Sequence, residues 1–221
     1  MAISKTLYVI NPNSTRAVTQ TMDEALNPLR RTARMPIQCV TLEAGPAGIQ
    51  SQRDVDAAAV LVRLFAEQHW KDAAGFITAC FSDPGLHALR EIPGVMSFGI
   101  SECAMSTALA IGQRIGVIAM LEASIPRHWR KWGEMGITAR IAGEVAISRS
   151  IAQMADADST REAMIAAGQR LADEYGANVL VMGCAGMATF RDSVQQATGL
   201  PVIEPTQVAV SMALGQLESG W

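Results

Sequence analysis

The sequence predicts an α/β protein built as two pseudo-symmetric, doubly wound lobes with mainly parallel sheets, and an active site in the cleft between them. Three observations carry that prediction. Short runs rich in Val and Ile alternate with longer helical patterns, the β-α-β order of a parallel sheet covered by helices. The second half then repeats the order of the first, with matching elements about one hundred residues apart, too long a period for a solenoid. Each half also places a cysteine at the end of an equivalent apolar run, Cys80 after "GFITA" and Cys184 after "NVLVMG".

Taken in order, "TLYVI" (6–10) reads as a strand and "PIQCVTL" (36–42) as another, with a helix over 15–26 between them. "QRDVDAAAVLVRLFAEQH" (52–69) has apolar residues at helical spacing. The buried strand "GFITA" (75–79), the helix "PGLHALREI" and the strand "GVMSFGI" (94–100) complete the first half. In the second half "RIGVIAM" (114–120) and "ITARIAG" (137–143) read as strands. "STREAMIAAGQRLADEYG" (159–176) reads as a helix with Ser159 and Glu162 as a capping box. "NVLVMGC" (178–184) and "LPVIEP" (200–205) are its last strands. The expected lobes are residues 1–105 with 206–221, and residues 106–205. The helix "ECAMSTALAIG" crosses between them and the segment 206–217 crosses back.

Composition narrows the class of function. Of 221 residues, 49% are hydrophobic and 18% charged, the balance of a globular chain able to bury a sizeable core. The formal net charge is −3 and no stripe of Lys and Arg stands out, so no nucleic-acid partner is expected. The densest basic stretch, "RHWRKW" (127–132), reads as a solvated helix face. No apolar run approaches the roughly 18 residues of a membrane span, and the first is too short for a signal segment, so a cytoplasmic protein without a membrane partner is expected. The four cysteines (Cys39, Cys80, Cys103, Cys184) lack C-x-x-C spacing, which suggests neither a metal site nor a disulfide framework. "GPAGIQ" (45–50) lacks the dinucleotide fingerprint, and there is no P-loop. His69, His87 and His128 share no motif with a cysteine. Apolar helix faces make a homo-oligomer the expected assembly.

In open parallel sheets, ligands sit outside the carboxyl ends of the strands. Cys80 and Cys184 occupy equivalent ends, so lobes related by a pseudo-dyad would set the two thiols opposite one another. Ser82 or Asp83 is placed to cap a helix after Cys80, with Pro84 in its first turn, and "AGMATFRDSVQQATG" reads as a turn entering a helix after Cys184. Amide N–H groups at such positions favour a thiolate, whereas the Asp83 carboxylate would oppose one at Cys80. Two acid/base groups on opposite faces of a carbon can remove a proton on one side and return one on the other, inverting the centre. Amides near Phe81–Ser82 and Ala185–Gly186 are candidates to hold the oxygen of the resulting enolate. "INPNST" (10–15) brings Asn11, Asn13 and Ser14 to the same sheet edge, with Ser14 or Asn13 also read as the cap of helix 15–26. Met120, with Leu121, ends the matching strand and would either give the pocket an apolar wall or simply pack in the core.

Together "VINPNST", "ACFSDPGL" and "GCAGM" resemble the Asp/Glu/hydantoin racemase superfamily, on its hydantoin and allantoin racemase branch. The resemblance spans nearly the whole chain. It implies a cofactor-independent isomerase acting on a small molecule, with the catalytic cysteines mapping onto Cys80 and Cys184, and with Asn11 to Ser14 holding the polar groups of the substrate. The implied reaction is inversion of C5 in a 5-substituted hydantoin or a related ureido compound such as allantoin. The related arylmalonate decarboxylases keep only the second cysteine, whereas this chain has both. A maleate-isomerase-like cis–trans isomerase, with one cysteine as nucleophile, is the alternative enzyme, and a two-lobed small-ligand binding protein is the alternative of another class. Ala119 and Met120 stand where the racemase pattern has polar Thr residues, which favours a bulky 5-substituent over small, polar allantoin.

Overall fold

The computed structural model describes residues 5–149 and 153–220. Its elements run β1 (Thr6–Asn11), α1 (Arg16–Ala25), α2 (Asn27–Arg30), β2 (Ile37–Thr41), α3 (Gln52–His69), β3 (Ala73–Thr78), α4 (Leu86–Leu89), β4 (Met96–Gly99) and α5 (Ile100–Ile111). There follow β5 (Ile115–Ala119), α6 (Ile125–Glu134), β6 (Ile141–Ala146), α7 (Ala157–Asp173), β7 (Val179–Met182), α8 (Arg191–Thr198), β8 (Val202–Ile203) and α9 (Pro205–Glu218). Short 3-10 turns precede α6, β6, α7 and α8. The described strands form two four-stranded, wholly parallel sheets, ordered β2-β1-β3-β4 and β6-β5-β7-β8. The same order in both halves is the internal repeat expressed as topology.

The chain divides into two compact units, residues 1–103 with 206–221, and residues 104–205. In the first, β1 is buried along Leu7–Asn11, as a central strand covered on both faces must be. Its core gathers Tyr8, Ile10, Val62, Ala66, Phe76 and Leu89, with Tyr8 set between Phe65 and Phe76 and donating its hydroxyl to Asp72 Oδ2 at 2.7 Å. In the second, β5 is buried throughout, and α7 packs on β5, β6 and α8. The edge strand β6 alternates buried and half-buried residues, as an edge covered on one face should.

Several local expectations give way to tertiary contacts. Residues 137–143 form a 3-10 turn before a strand that begins only at Ile141. The Ser159–Glu162 box does not form. Helix α7 starts earlier, capped by Asp156, whose carboxylate accepts from Ser159 N at 3.2 Å, and Ser159 Oγ instead receives the Arg149 guanidinium. A capping box forms on α3 instead, with Ser51 and Asp54 satisfying each other's amides. The basic stretch 127–132 is not simply a solvated face. In α6 it buries His128 and Trp132 and leaves Trp129 39% exposed. His128 Nδ1 meets Glu144 Oε1 at 2.6 Å, and burial pushes the Glu144 carboxyl upward, opposed by that contact.

Glycines mark where backbone must approach backbone. A Cβ on Gly183 would lie 2.7 Å from Ile118 O, just before the second strand-end cysteine. Gly183→Ala is therefore expected to destabilise the protein by about 1–3 kcal/mol, through displacement of the β7 end from β5. A denaturant titration with an unchanged slope and a lower midpoint checks this; an unchanged midpoint contradicts it.

Candidate active site

The two cysteines leave their sheets in the same way. In the first unit, Ala79 N donates to Ile10 O at 2.8 Å, one bond beyond the β1–β3 ladder. In the second, Gly183 N donates to Ile118 O at 2.8 Å, one bond beyond β5–β7. Cys80 and Cys184 are the next residues. Each opens a four-residue turn, closed by Asp83 N to Cys80 O at 2.8 Å and by Met187 N to Cys184 O at 3.2 Å. Both are half-buried.

Past these turns the two units diverge. The helix expected after Cys80 shrinks to the single turn α4, entered through Gly85 at φ +75°, so neither Ser82 nor Asp83 caps it. A Cβ on Gly85 would lie 2.9 Å from Ala59 O, which keeps the turn against α3. Asp83 instead sends its carboxylate to the start of α5, accepting from Ser101 N at 2.9 Å and Glu102 N at 3.0 Å. Phe81 is buried and Ser82 half-buried beside them. Cys184 itself caps the 3-10 turn Ala185–Phe190 that leads into α8, and its Sγ accepts from Gly186 N at 3.4 Å. The Gly186 N–H thus points at the Cys184 sulfur. Ala185 is buried, and Met120 and Cys184 border the same apolar cluster around Ile118, Val145, Met164 and Met187.

Beyond β1, the loop is organised by its own amides. Asn11 is 0% exposed, and its Nδ2 donates to Asn13 Oδ1, Thr15 O and Thr19 Oγ1 at 3.0–3.2 Å, while its Oδ1 accepts from Asn13 N. Asn13 Oδ1 accepts from Thr15 N at 2.9 Å, an Asx turn. Helix α1 is consequently capped by Thr15 without a side-chain bond, not by Asn13 or Ser14, because Asn13 is already engaged one step earlier. Asn11 acts as the scaffold. Asn13, 6% exposed, and the half-buried Ser14 lie further along the loop. The segment 45–48, unassigned in the sequence, braces this loop: Ser14 N donates to Pro46 O, Thr15 Oγ1 donates to Ala47 O, and a Cβ on Gly45 would collide with Pro12 O. The signal that could have found it is the glycine pair itself, placed between a strand and the cap of the next helix.

Within the first unit, then, the structure brings Asn11, Asn13 and Ser14 to the end of β1, and Cys80, Phe81 and Ser82 to the end of its neighbour β3. Within the second it brings Met120 to the end of β5, and Cys184, Ala185 and Gly186 to the end of its neighbour β7. Among the described residues no group of three His, Cys, Asp or Glu is placed to hold a metal ion, and no helix is long and apolar enough to cross a membrane.

The other cysteines contrast with this pair. Cys103 is 4% exposed within α5. Burial and the neighbouring Asp23 push the Cys39 thiol up to about 12, outweighing Arg30. A thiol raised that far is about 10⁻⁴ ionised at pH 8, so native Cys39 should resist iodoacetamide while Cys184 reacts. Peptide mapping by mass spectrometry after brief alkylation reads this directly; equal labelling of Cys39 and Cys184 would contradict it.

The chain has relatives throughout its length. The family model for Asp/Glu/Hydantoin racemase matches residues 7–213. A hydantoin racemase of Rhizobium meliloti is 32% identical over 220 residues, 97% of this chain and 90% of that protein. Among solved structures, an allantoin racemase from Klebsiella pneumoniae superposes with a TM-score of 0.86 at 28% identity, over 98% of this chain and 89% of the other. An allantoin racemase from Pseudomonas fluorescens gives 0.89 at 25% identity, over 97% and 92%. The match across both units, with a shared fold, makes the protein an isomerase of the racemase type and a member of the Asp/Glu/Hydantoin racemase family.

Proposed function

We propose that the protein racemises 5-substituted hydantoins or related ureido compounds by two-base proton transfer between Cys80 and Cys184. One observation carries this reading: both cysteines are the first residue past the last inter-strand bond of equivalent strands, in turns closed by the same backbone bond. Neither a lone structural cysteine nor a packing preference requires that coincidence. The naming of similar proteins as hydantoin and allantoin racemases supports the substrate class.

In this scheme one cysteine, as thiolate, takes the C5 proton. The electron pair moves into the adjacent carbonyl, forming an enolate. The opposite thiol then delivers its proton to the other face of C5. The configuration at C5 is inverted, one proton has been lost and one gained, and the two sulfurs have exchanged protonation states. The reverse enantiomer uses the same groups in exchanged roles, so no cofactor is required. The Gly186 N–H at Cys184 Sγ favours the thiolate form at that site, which suits it as a resting base. The backbone amides of the Phe81–Ser82 and Ala185 turns would hold the enolate oxygen. Asn13 and Ser14 would meet the ring N–H and carbonyl groups, with Asn11 fixing their loop. Met120 would face the 5-substituent and favour apolar groups over the ureido group of allantoin.

Cys80→Ser and Cys184→Ser are each expected to lower racemisation by about 10²–10⁴-fold or more, since each removes one partner of the proton transfer. Polarimetry on a panel of 5-substituted hydantoins measures the loss. In deuterated water, mass spectrometry should find one solvent deuterium at C5 of the inverted product. Full activity in either single variant would sink the two-base scheme, and a covalent adduct seen by intact mass would replace it with nucleophilic addition.

A further inference from the structure

Building on the reading of Cys80 as a reacting thiol, we propose that Asp83 is its positioning residue: the Asp83 carboxylate, locked onto the first amides of α5, holds the 80–83 turn in the conformation that presents the thiol.

Four observations converge on Asp83. It is a non-glycine residue at φ +43°, a left-handed conformation that Asp and Asn tolerate better than other side chains. The residue is 6% exposed, and both carboxylate oxygens are committed, Oδ1 to Ser101 N and Oδ2 to Glu102 N. Those amides belong to the first turn of α5, a twelve-residue helix that follows β4 with no connecting loop. The N–H groups at its start lack intrahelical acceptors, and a carboxylate from eighteen residues upstream supplies one. The seat is also shaped for this side chain, because a Cβ on Gly99 would occupy the space of the Asp83 carboxylate.

The backbone of Asp83 completes the device. Its N–H closes the turn on Cys80 O at 2.8 Å, and Thr78 Oγ1 ties the next residue by donating to Pro84 O at 3.0 Å. One residue thus grips the helix through its side chain and the cysteine turn through its main chain. Its negative charge, three residues from the thiol, is set against the positive end of α5 rather than left to oppose thiolate formation alone. After Cys184 the matching turn is closed by Met187, a residue with no carboxylate to grip a helix. The two matching turns are therefore anchored through different residues.

The test uses Asp83→Ala, Asp83→Asn and Gly99→Ala in the full chain. Asp83→Ala should lower kcat by about 10²-fold while KM stays within about threefold, the pattern of misplaced chemistry rather than lost substrate binding. Asp83→Asn tolerates positive φ and keeps one acceptor, so it should recover much of that loss. It also removes the charge, so the pH midpoint of Cys80 alkylation, read by peptide mapping without substrate, should move down while that of Cys184 stays. Gly99→Ala, which displaces the carboxylate without altering it, should lower kcat and shift Cys80 alkylation alone. A folded Asp83→Asn or Gly99→Ala protein with both kcat and the Cys80 alkylation midpoint unmoved would overturn the proposal. Because alkylation needs no turnover, it separates this outcome from failure of the racemase scheme, which would show as full activity in Cys80→Ser.

Discussion

Both candidate thiols depend on a single backbone constraint, the last inter-strand bond before each parallel ladder ends. Ala79 N on Ile10 O and Gly183 N on Ile118 O each hold the chain to its neighbour for one residue beyond the regular strand. A parallel strand cannot turn back on itself and must leave the sheet toward a helix, so the next residue sits at the carboxyl edge, where ligands bind α/β sheets. The cysteine is that next residue in both units. Its half-buried state has the same origin: the main chain is still tethered to the sheet, while the side chain has left it.

Around that constraint, each unit stabilises its strand-end turn by different local chemistry. The first relies on side chains: Asn11 and Asn13 knit the β1 loop, Thr78 pins Pro84, and Asp83 reaches across to α5. The second relies on the main chain, with Gly183 allowing close approach to Ile118 and the Gly186 amide reaching the sulfur. Duplication of a fold thus preserves topology and the turn itself, while the groups surrounding each turn diverge.

Much of this was legible in the sequence. Apolar runs bounded by turn residues located the described strands, β6 only at its first residues, because buried parallel strands need near-continuous Val, Ile and Leu. The recurrence of Cys80 and Cys184 at matched strand ends was visible without coordinates. Local capping was read less well. Ser159, Ser82 and Asn13 all stand in sequence contexts that suit an N-cap, yet each yields to a competitor: Asp156 upstream for α7, Gly85 for α4, and Thr15 for α1. Cap choice turns on which side chain is already committed elsewhere, and that is a matter of three-dimensional neighbours. His128 shows the same limit, since its place among basic residues hid the buried contact with Glu144 on the adjoining strand.

By itself, the sequence determined the class of fold, the internal repeat and the matching strand-end positions of two cysteines. These rest on periodicity and recurrence, which the chain carries locally. Only tertiary structure decided that Asp83 caps α5 rather than its own turn, that Asn11 is scaffold, and that residues 45–48 brace the loop beyond β1. Each of those is a hydrogen bond between segments well separated in the chain, or a choice between competing acceptors. Such bonds count for most where burial keeps water from competing, and burial is settled only once the chain has folded.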